Sequence, residues 1–292
     1  MKTKAKSVLL AAMMAAVVPL LKAAELTITP SGSQVIVGWP QGGPNDFYLR
    51  WTTNLLDPSS WRPTADPVAS GAALVVTNAI SGASRFYGLQ AWEALFDGTT
   101  AAHFRGYQMA GLPGTNIWKI NTNRELEAVA SGTQVDLITT NQYDDFELRW
   151  EWKTSVNGNS GVNYRATELY SRAEWSGPEY QLLDTNYATV PQNSLGAVWS
   201  LIAPTNKTTV PTGQWNQCRL VVQGNQVEHW LNGNKVVSYA LDSPAFTAAV
   251  SANSNFNPYP QFARARMGYI ALRHENTPVW FRNIKIRKLP AQ

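Results

Sequence analysis

The sequence contains a single cysteine, Cys218, among its 292 residues. An intramolecular disulfide is therefore excluded, and the QCRLVV context reads as a buried structural thiol on a strand rather than a nucleophile. Histidine is almost as scarce: only His103, His229 and His274 occur, without the HxH or HExxH spacings that hold zinc. His103 follows LFDG in a loop and has no argued role. Acidic metal loops, dinucleotide-binding fingerprints and phosphate-binding loops are missing too, and GLPG and GNSG are turn glycines. No cofactor is required by this pattern. A rim calcium held by scattered oxygens leaves no local signature, so a divalent metal is allowed but unsupported.

Charge of one sign is also lacking. Four of the 24 Lys and Arg residues (Lys2, Lys4, Lys6 and Lys22) precede Glu25 while none of the 20 acids does, which leaves 20 of each beyond that point. A neutral chain has no electrostatic warrant for a nucleic-acid partner. Beyond Glu25 no run is apolar enough to span a bilayer, and no long segment carries a helical period.

What is present begins with a basic stretch, the apolar run Val8 to Leu21, and small residues. This pattern predicts a secretory signal peptide over residues 1–24, and hence a secreted or periplasmic protein. No cysteine follows the apolar run, so a lipid anchor is not expected. Short alternating runs broken by Gly, Pro, Asn and Ser then predict an all-β chain. Residues 25–91 carry LTITP, QVIVGW, FYLRWTT, ALVVTN and RFYGLQ, the pattern of a small immunoglobulin- or fibronectin-like module. It has no cluster of ionisable groups and reads as a spacer or attachment module. A boundary falls near Ala91 to Ala94. Residues 92–292 read as a jelly-roll sandwich. In FELRWEW, Phe146, Leu148, Trp150 and Trp152 share one face and Glu147, Arg149 and Glu151 the other. Asn232-Gly233 is a hairpin turn signal. The 12 tryptophans suit both core packing and stacking on sugar rings.

The strand GPEYQLLD (177–184) puts Glu179 and Gln181 on one face, with Asp184 opposite unless a bulge resets the phase. In GNSGVNYR, Asn163 and Arg165 share a face. If the apolar faces look inward, these four project together, and Arg165 holds Glu179 ionised. An outward salt bridge on a solvated sheet is the plainer alternative. His229, on a face with Val227 and Leu231, is either structural or a proton carrier near neutral pH. His274 and Glu275, at a strand end, either line a groove rim or are solvated.

Taken in order, LFDGTT, IWKI, YDDFELRWEWKTSVNGNSGVNYR, PEYQLLD, GAVWSLIAP, VEHWLNG and GYIALRHENTPVWFRNIKIR resemble the 3-keto-disaccharide hydrolase family over residues 93–289. The resemblance implies a concanavalin-like jelly roll acting on oligosaccharides or glycosides whose sugar C3 is already a ketone. The ketone acidifies the C2 hydrogen. A base removes it, the C1 aglycone leaves, and water adds to give net hydrolysis. An upstream sugar oxidoreductase is the implied partner, making the ketone elsewhere. By motif the resemblance singles out Arg165, Glu179, Gln181, Asp184 and His229. Glu179 is expected to do the acid–base work with Arg165 as oxyanion partner, His229 as a second proton carrier or ligand contact, and Gln181 orienting hydroxyls. Trp199 reads equally as a stacking wall or as core. One departure is Leu272-Arg273-His274-Glu275, with arginine where the family often has glutamine, which adds charge at the expected groove rim.

Two rivals stay open. E-x-Q-x-x-D has the spacing of the paired acids of jelly-roll endoglucanases, where retaining hydrolysis needs carboxyl groups about 5–5.5 Å apart. A lectin-like module is the other. Convergence of Arg165, Glu179 and His229 is the feature that separates the acid–base scheme from the lectin.

Overall fold

The computed structural model describes residues 25–41, 47–57, 60–79, 84–187 and 189–291. The segment read as a signal peptide, 1–24, lies outside them. The chain divides into two compact units, Met1–Trp92 and Glu93–Gln292.

The first unit carries β1 (Thr27–Ser31), β2 (Gln34–Pro40), β3 (Phe47–Thr52), β4 (Arg62–Pro63), β5 (Val68–Ser70), β6 (Ala73–Ala79) and β7 (Phe86–Ala91). They form two antiparallel sheets in the orders β1-β2-β6-β5 and β4-β3-β7. Val37, Trp39, Leu49 and Val76 pack together as the core. Alternation along QVIVGW and FYLRW supplies these inward residues.

The second unit carries β8 (Glu93–Phe96), β9 (Phe104–Gly106), β10 (Trp118–Ile120), β11 (Leu126–Ala128), β12 (Leu137–Thr139), β13 (Phe146–Thr154), β14 (Asn159–Ala166), β15 (Glu179–Leu183), β16 (Asn216–Gln223), β17 (Gln226–Leu231), β18 (Asn234–Ala240), the helix α1 (Pro244–Ala252), β19 (Tyr269–Leu272) and β20 (Val279–Lys288). An eight-stranded sheet runs β10-β11-β20-β13-β16-β17-β18, with β8 also paired to β20, and a five-stranded sheet runs β15-β14-β19-β12-β9. This is the all-β jelly-roll sandwich that the alternation predicts. Phe146, Leu148, Trp150 and Trp152 of β13 are buried in the core with Val162, Tyr164 and Tyr180 of the other sheet. The opposite face of β13 carries ion pairs: Glu147 meets Arg149, Arg219 and Arg287. Asn232 and Gly233, both at positive φ, turn β17 into β18.

Helix α1 has no long period to announce it. Its start is nevertheless written in the sequence: Ser243 Oγ accepts a hydrogen bond from Phe246 N at 3.2 Å, and Pro244 opens the first turn.

Candidate active site

The outward face of the five-stranded sheet holds the charged groups. Antiparallel register pairs Asn163 with Glu179 and Gly161 with Gln181 across β14 and β15. On the other side of β14, Gly161 O accepts from Arg273 N at 2.9 Å. Glu179, Gln181 and Arg273 therefore stand around a position that has no side chain. A Cβ at Gly161 would lie 2.7 Å from Glu179 Cγ and 2.5 Å from its carboxyl carbon. The glycine is what lets the Glu179 carboxylate lie across β14 toward Arg273.

Arg273 is 4 % exposed and Glu179 5 %. Their pair is direct, Arg273 Nη1 to Glu179 Oε2 at 2.7 Å. The same nitrogen contacts Glu174, Nη2 contacts Glu275, and Nε stands 3.8 Å from Asp136 Oδ2. Glu174 sits in a short 3-10 turn, Ala173–Trp175, fastened by Ser176, whose Oγ donates to Thr167 O at 3.0 Å. Asp136 enters from the start of β12, where its Oδ1 accepts from His274 N at 2.9 Å.

One guanidinium thus faces four carboxyl groups, and burial sharpens the imbalance. Burial, with Glu174 and Asp136 adding repulsion, pushes the Glu179 carboxyl up to about 7 although Arg273 opposes the change. Burial also raises the Glu174 carboxyl, against the pull of Arg273 and Arg172. Burial works against the charge on Arg273 as well, but Glu179, Asp136 and Glu174 outweigh it and hold the guanidinium protonated. The cluster carries exchangeable protons near neutral pH, as general acid–base chemistry requires. Beside it, Asn163 donates to Gly177 O at 3.1 Å, while its buried Oδ1 has no hydrogen-bond partner among the described residues. A buried acceptor left open costs free energy until a donor such as a sugar hydroxyl meets it. Among the described residues no group of three or more His, Cys, Asp or Glu is set to hold a metal ion.

The model of the 3-keto-alpha-glucoside-1,2-lyase-like domain matches residues 91–287. The chain belongs to this family. A curated relative from Bacteroides thetaiotaomicron, named 3-keto-disaccharide hydrolase, is 29% identical over 227 residues, covering 67% of this chain and 77% of that protein. A solved structure from Parabacteroides distasonis, described as a candidate glycosyl hydrolase, has a TM-score of 0.62 at 24% identity over 68% of this chain and 94% of that one. A second structure from the same organism, described likewise, has a TM-score of 0.53 at 25% identity over 68% and 99% of the two chains. Both share the fold of the second unit.

In this member of the 3-keto-alpha-glucoside-1,2-lyase-like family the expected site residues part company. Arg165 does not pair with Glu179. It adopts φ of 52° at a register shift between Asn163 and Ala166, a bulge that breaks the alternation. Its Nη2 donates to Gly224 O at 2.7 Å and Asp144 O at 3.1 Å, and lies 3.4 Å from Asp145 Oδ1. Arg273, expected at the groove rim, takes its place at the buried centre. Glu275 stays on the Arg273 face and is part-exposed.

His229 is wholly buried between the sheets. Its Nε2 meets Tyr164 Oη at 3.1 Å, its Nδ1 meets Gly196 O at 3.0 Å, and its ring stacks on Tyr180 at 4.4 Å. Burial pushes its pKa down to about 4, so it is a neutral core group. Arg165, Glu179 and His229 therefore do not converge, and the acid–base scheme built on those three is withdrawn. His274 also turns inward: Nε2 donates to Val129 O at 3.0 Å, Nδ1 accepts from Asn276 N at 3.2 Å, and the ring meets Trp118 edge-on. Asp184 is reached without any bulge in the β14–β15 register. Its carboxylate accepts from Asn157 N at 2.8 Å and Thr212 Oγ1 at 2.5 Å, which fastens two loops and lowers its pKa despite burial. The endoglucanase-like pairing of Glu179 with Asp184 falls with it.

Gln181 remains on the Glu179 face, its Nε2 donating to Asn159 Oδ1 at 2.7 Å and Ser160 O at 3.1 Å. Trp199 lies along the β15 edge, its N–H donating to Glu179 O at 3.0 Å. Its ring is part-buried, edge-on to Phe256 and 6.3 Å from Trp175, which stacks on Tyr259 at 4.9 Å. Sequence reasoning missed Glu174 and Asp136. Glu174 is a lone acid in a loop with no period. Asp136 lies just before β12, and nothing local ties it to Arg273.

Proposed function

We propose that this chain is a carbohydrate-active enzyme that cleaves 3-keto-glycosides or disaccharides by C2 proton abstraction, elimination and hydration. The observation that carries the reading is the buried pair Glu179 and Glu174 on one nitrogen of Arg273, both carboxyls raised by burial. Family membership and the name of the curated relative support the substrate class.

The steps balance on these groups. Glu179 as carboxylate takes the C2 proton, and the C–H electrons form the enolate whose oxygen faces the Arg273 charge. The enolate collapses, the C1–O bond breaks, and Glu179, now protonated, gives its proton to the departing oxygen. As carboxylate again it takes a proton from water as the water oxygen attacks C1, and it then returns that proton to C2. Glu179 ends as it began, with the neighbouring Glu174 keeping its affinity for the proton high. Gln181 and the open Oδ1 of Asn163 are placed to hold sugar hydroxyls. No redox cofactor takes part in these steps, so the ketone comes from a sugar oxidoreductase acting upstream. The leader-like pattern of residues 1–24 supports a setting outside the cytoplasm, in the periplasm or medium.

The decisive assay pairs a β-glucoside with its 3-keto counterpart, run in deuterium oxide. The expected result is cleavage of the keto substrate alone, with deuterium entering C2. Cleavage of only the unmodified glucoside would overturn the proposal, and saturable binding of both without cleavage would establish the lectin instead.

A further inference from the structure

A second cleft lies on the outward face of the eight-stranded sheet, where the mechanism has no use for it. Its cavity of about 480 Å³ is lined by Asn121, Asn123, Glu125, Lys153, Ser155 and Trp280, among others. Strand alternation separates it from the Glu179 cluster. Val279 and Phe281 point into the core, so Trp280 between them faces out, as does Lys153 beside the core residue Trp152.

The polar lining is held in place by its own contacts. Lys153 Nζ bonds Glu125 Oε1 at 2.7 Å, and Asn121 Nδ2 donates to Glu125 Oε2 at 2.9 Å. Lys153 also sits over the Trp215 ring at 4.5 Å, and Arg282 over the same ring at 4.0 Å. Lys153 Nζ lies 5.4 Å from the Trp280 ring centre. The groups are therefore fixed before any ligand arrives, which lowers the entropy lost on binding.

Chemistry narrows the ligand. Lys153 and Glu125 cancel, so neither an anion nor a cation finds a net field. A wholly apolar ligand would strand the amides of Asn121 and Asn123 and the Ser155 hydroxyl. A neutral polyol with one C–H face satisfies both demands: its ring lies on the Trp280 indole and its hydroxyls meet the amides and the ion pair. The volume falls in the range of small-molecule sites. We propose that this cleft is a second saccharide-binding site, taking one or two unmodified neutral pyranose rings, independent of the reaction assigned to Glu179.

The test is an indole ¹⁵N–¹H titration of the whole chain with maltose, cellobiose and trehalose, the Trp280 signal being assigned with Trp280→Phe. Glucuronate and glucosamine serve as charged controls. The expected result is a saturable shift of the Trp280 signal with a neutral disaccharide in the millimolar range. The shift persists in Glu179→Gln and is weakened several-fold in Asn123→Ala. Trp280→Ala should leave turnover of a soluble substrate unchanged. No saturable shift with any neutral probe overturns the site. Loss of the shift in Glu179→Gln overturns its independence, and tighter binding of either charged control overturns the ligand class.

Discussion

Replacing Gly161 with alanine tests the site without removing a charge or a hydrogen bond. Gly161 has no positive φ, so alanine carries no backbone penalty there. The nearest atoms met all belong to Glu179, whose Cγ and carboxyl carbon would lie 2.7 and 2.5 Å from the new methyl. Ordinary carbon contacts sit at about 3.5–4.0 Å, so the carboxyl group has to move by about 1 Å. A misplacement of about that size costs on the order of 10²-fold in rate, which is about 2.7 kcal/mol in the barrier. Glu179 swings on rotatable bonds, so the expected loss of stability is much smaller, about 1 kcal/mol. The assay is steady-state cleavage of a 3-keto-glucoside beside a thermal melt. The expected outcome is a large fall in kcat with a folded protein. A folded Gly161→Ala protein with kcat within about threefold of the parent would refute the placement of Glu179 at the reacting carbon.

Four further outcomes follow from the geometry. Because Glu179 acts as the base, kcat/KM should rise with pH through about 7, and the limb should vanish with the activity in Glu179→Gln. The folded-state pKa of Glu179 lies above the ordinary carboxylate value of 4.5, so its contribution to stability is present below pH 4.5 and is lost as pH rises through about 7. Thermal melts across that window should show the parent losing on the order of 3 kcal/mol relative to Glu179→Gln. His229→Ala should cost about 2–4 kcal/mol, from the cavity and the loss of its bonds to Tyr164 and Gly196; kcat per folded molecule should not change. Asp184→Ala should lower stability by about 1–3 kcal/mol by releasing Asn157 and Thr212, again with kcat unchanged in the folded fraction.

The sandwich, the inward face of FELRWEW and the shared face of Glu179 and Gln181 follow from side-chain alternation, and the Asn232-Gly233 hairpin from tolerance of positive φ; both are local properties. The pairing of Glu179 was not local. Its partner, Arg273, arrives just past the end of β19 from 94 residues away, and no spacing within either segment encodes that meeting. Arg165 misled because a bulge at a non-glycine residue leaves no mark in composition. His229 is different, since its strand phase already placed it with Val227 and Leu231. Both neighbours are fully buried, and that shared face was itself the sign of a core histidine. The amide of Asn163 was legible as a face residue. Its open acceptor was not, because that depends on what the covering loop 167–177 fails to offer.

The strand β20 pairs with β8, β11 and β13 at once, in the middle of the larger sheet. The keystone of the domain is therefore its last strand in chain order among the described residues. Until residues 279–288 emerge, β13 lacks one neighbour and β8 and the β10–β11 pair have nothing to join them to the sheet, so the order of translation and the order of assembly are opposed. Such long-range pairing slows folding. The first unit has all its strands in hand early, while the second stays incomplete until its final strand is delivered.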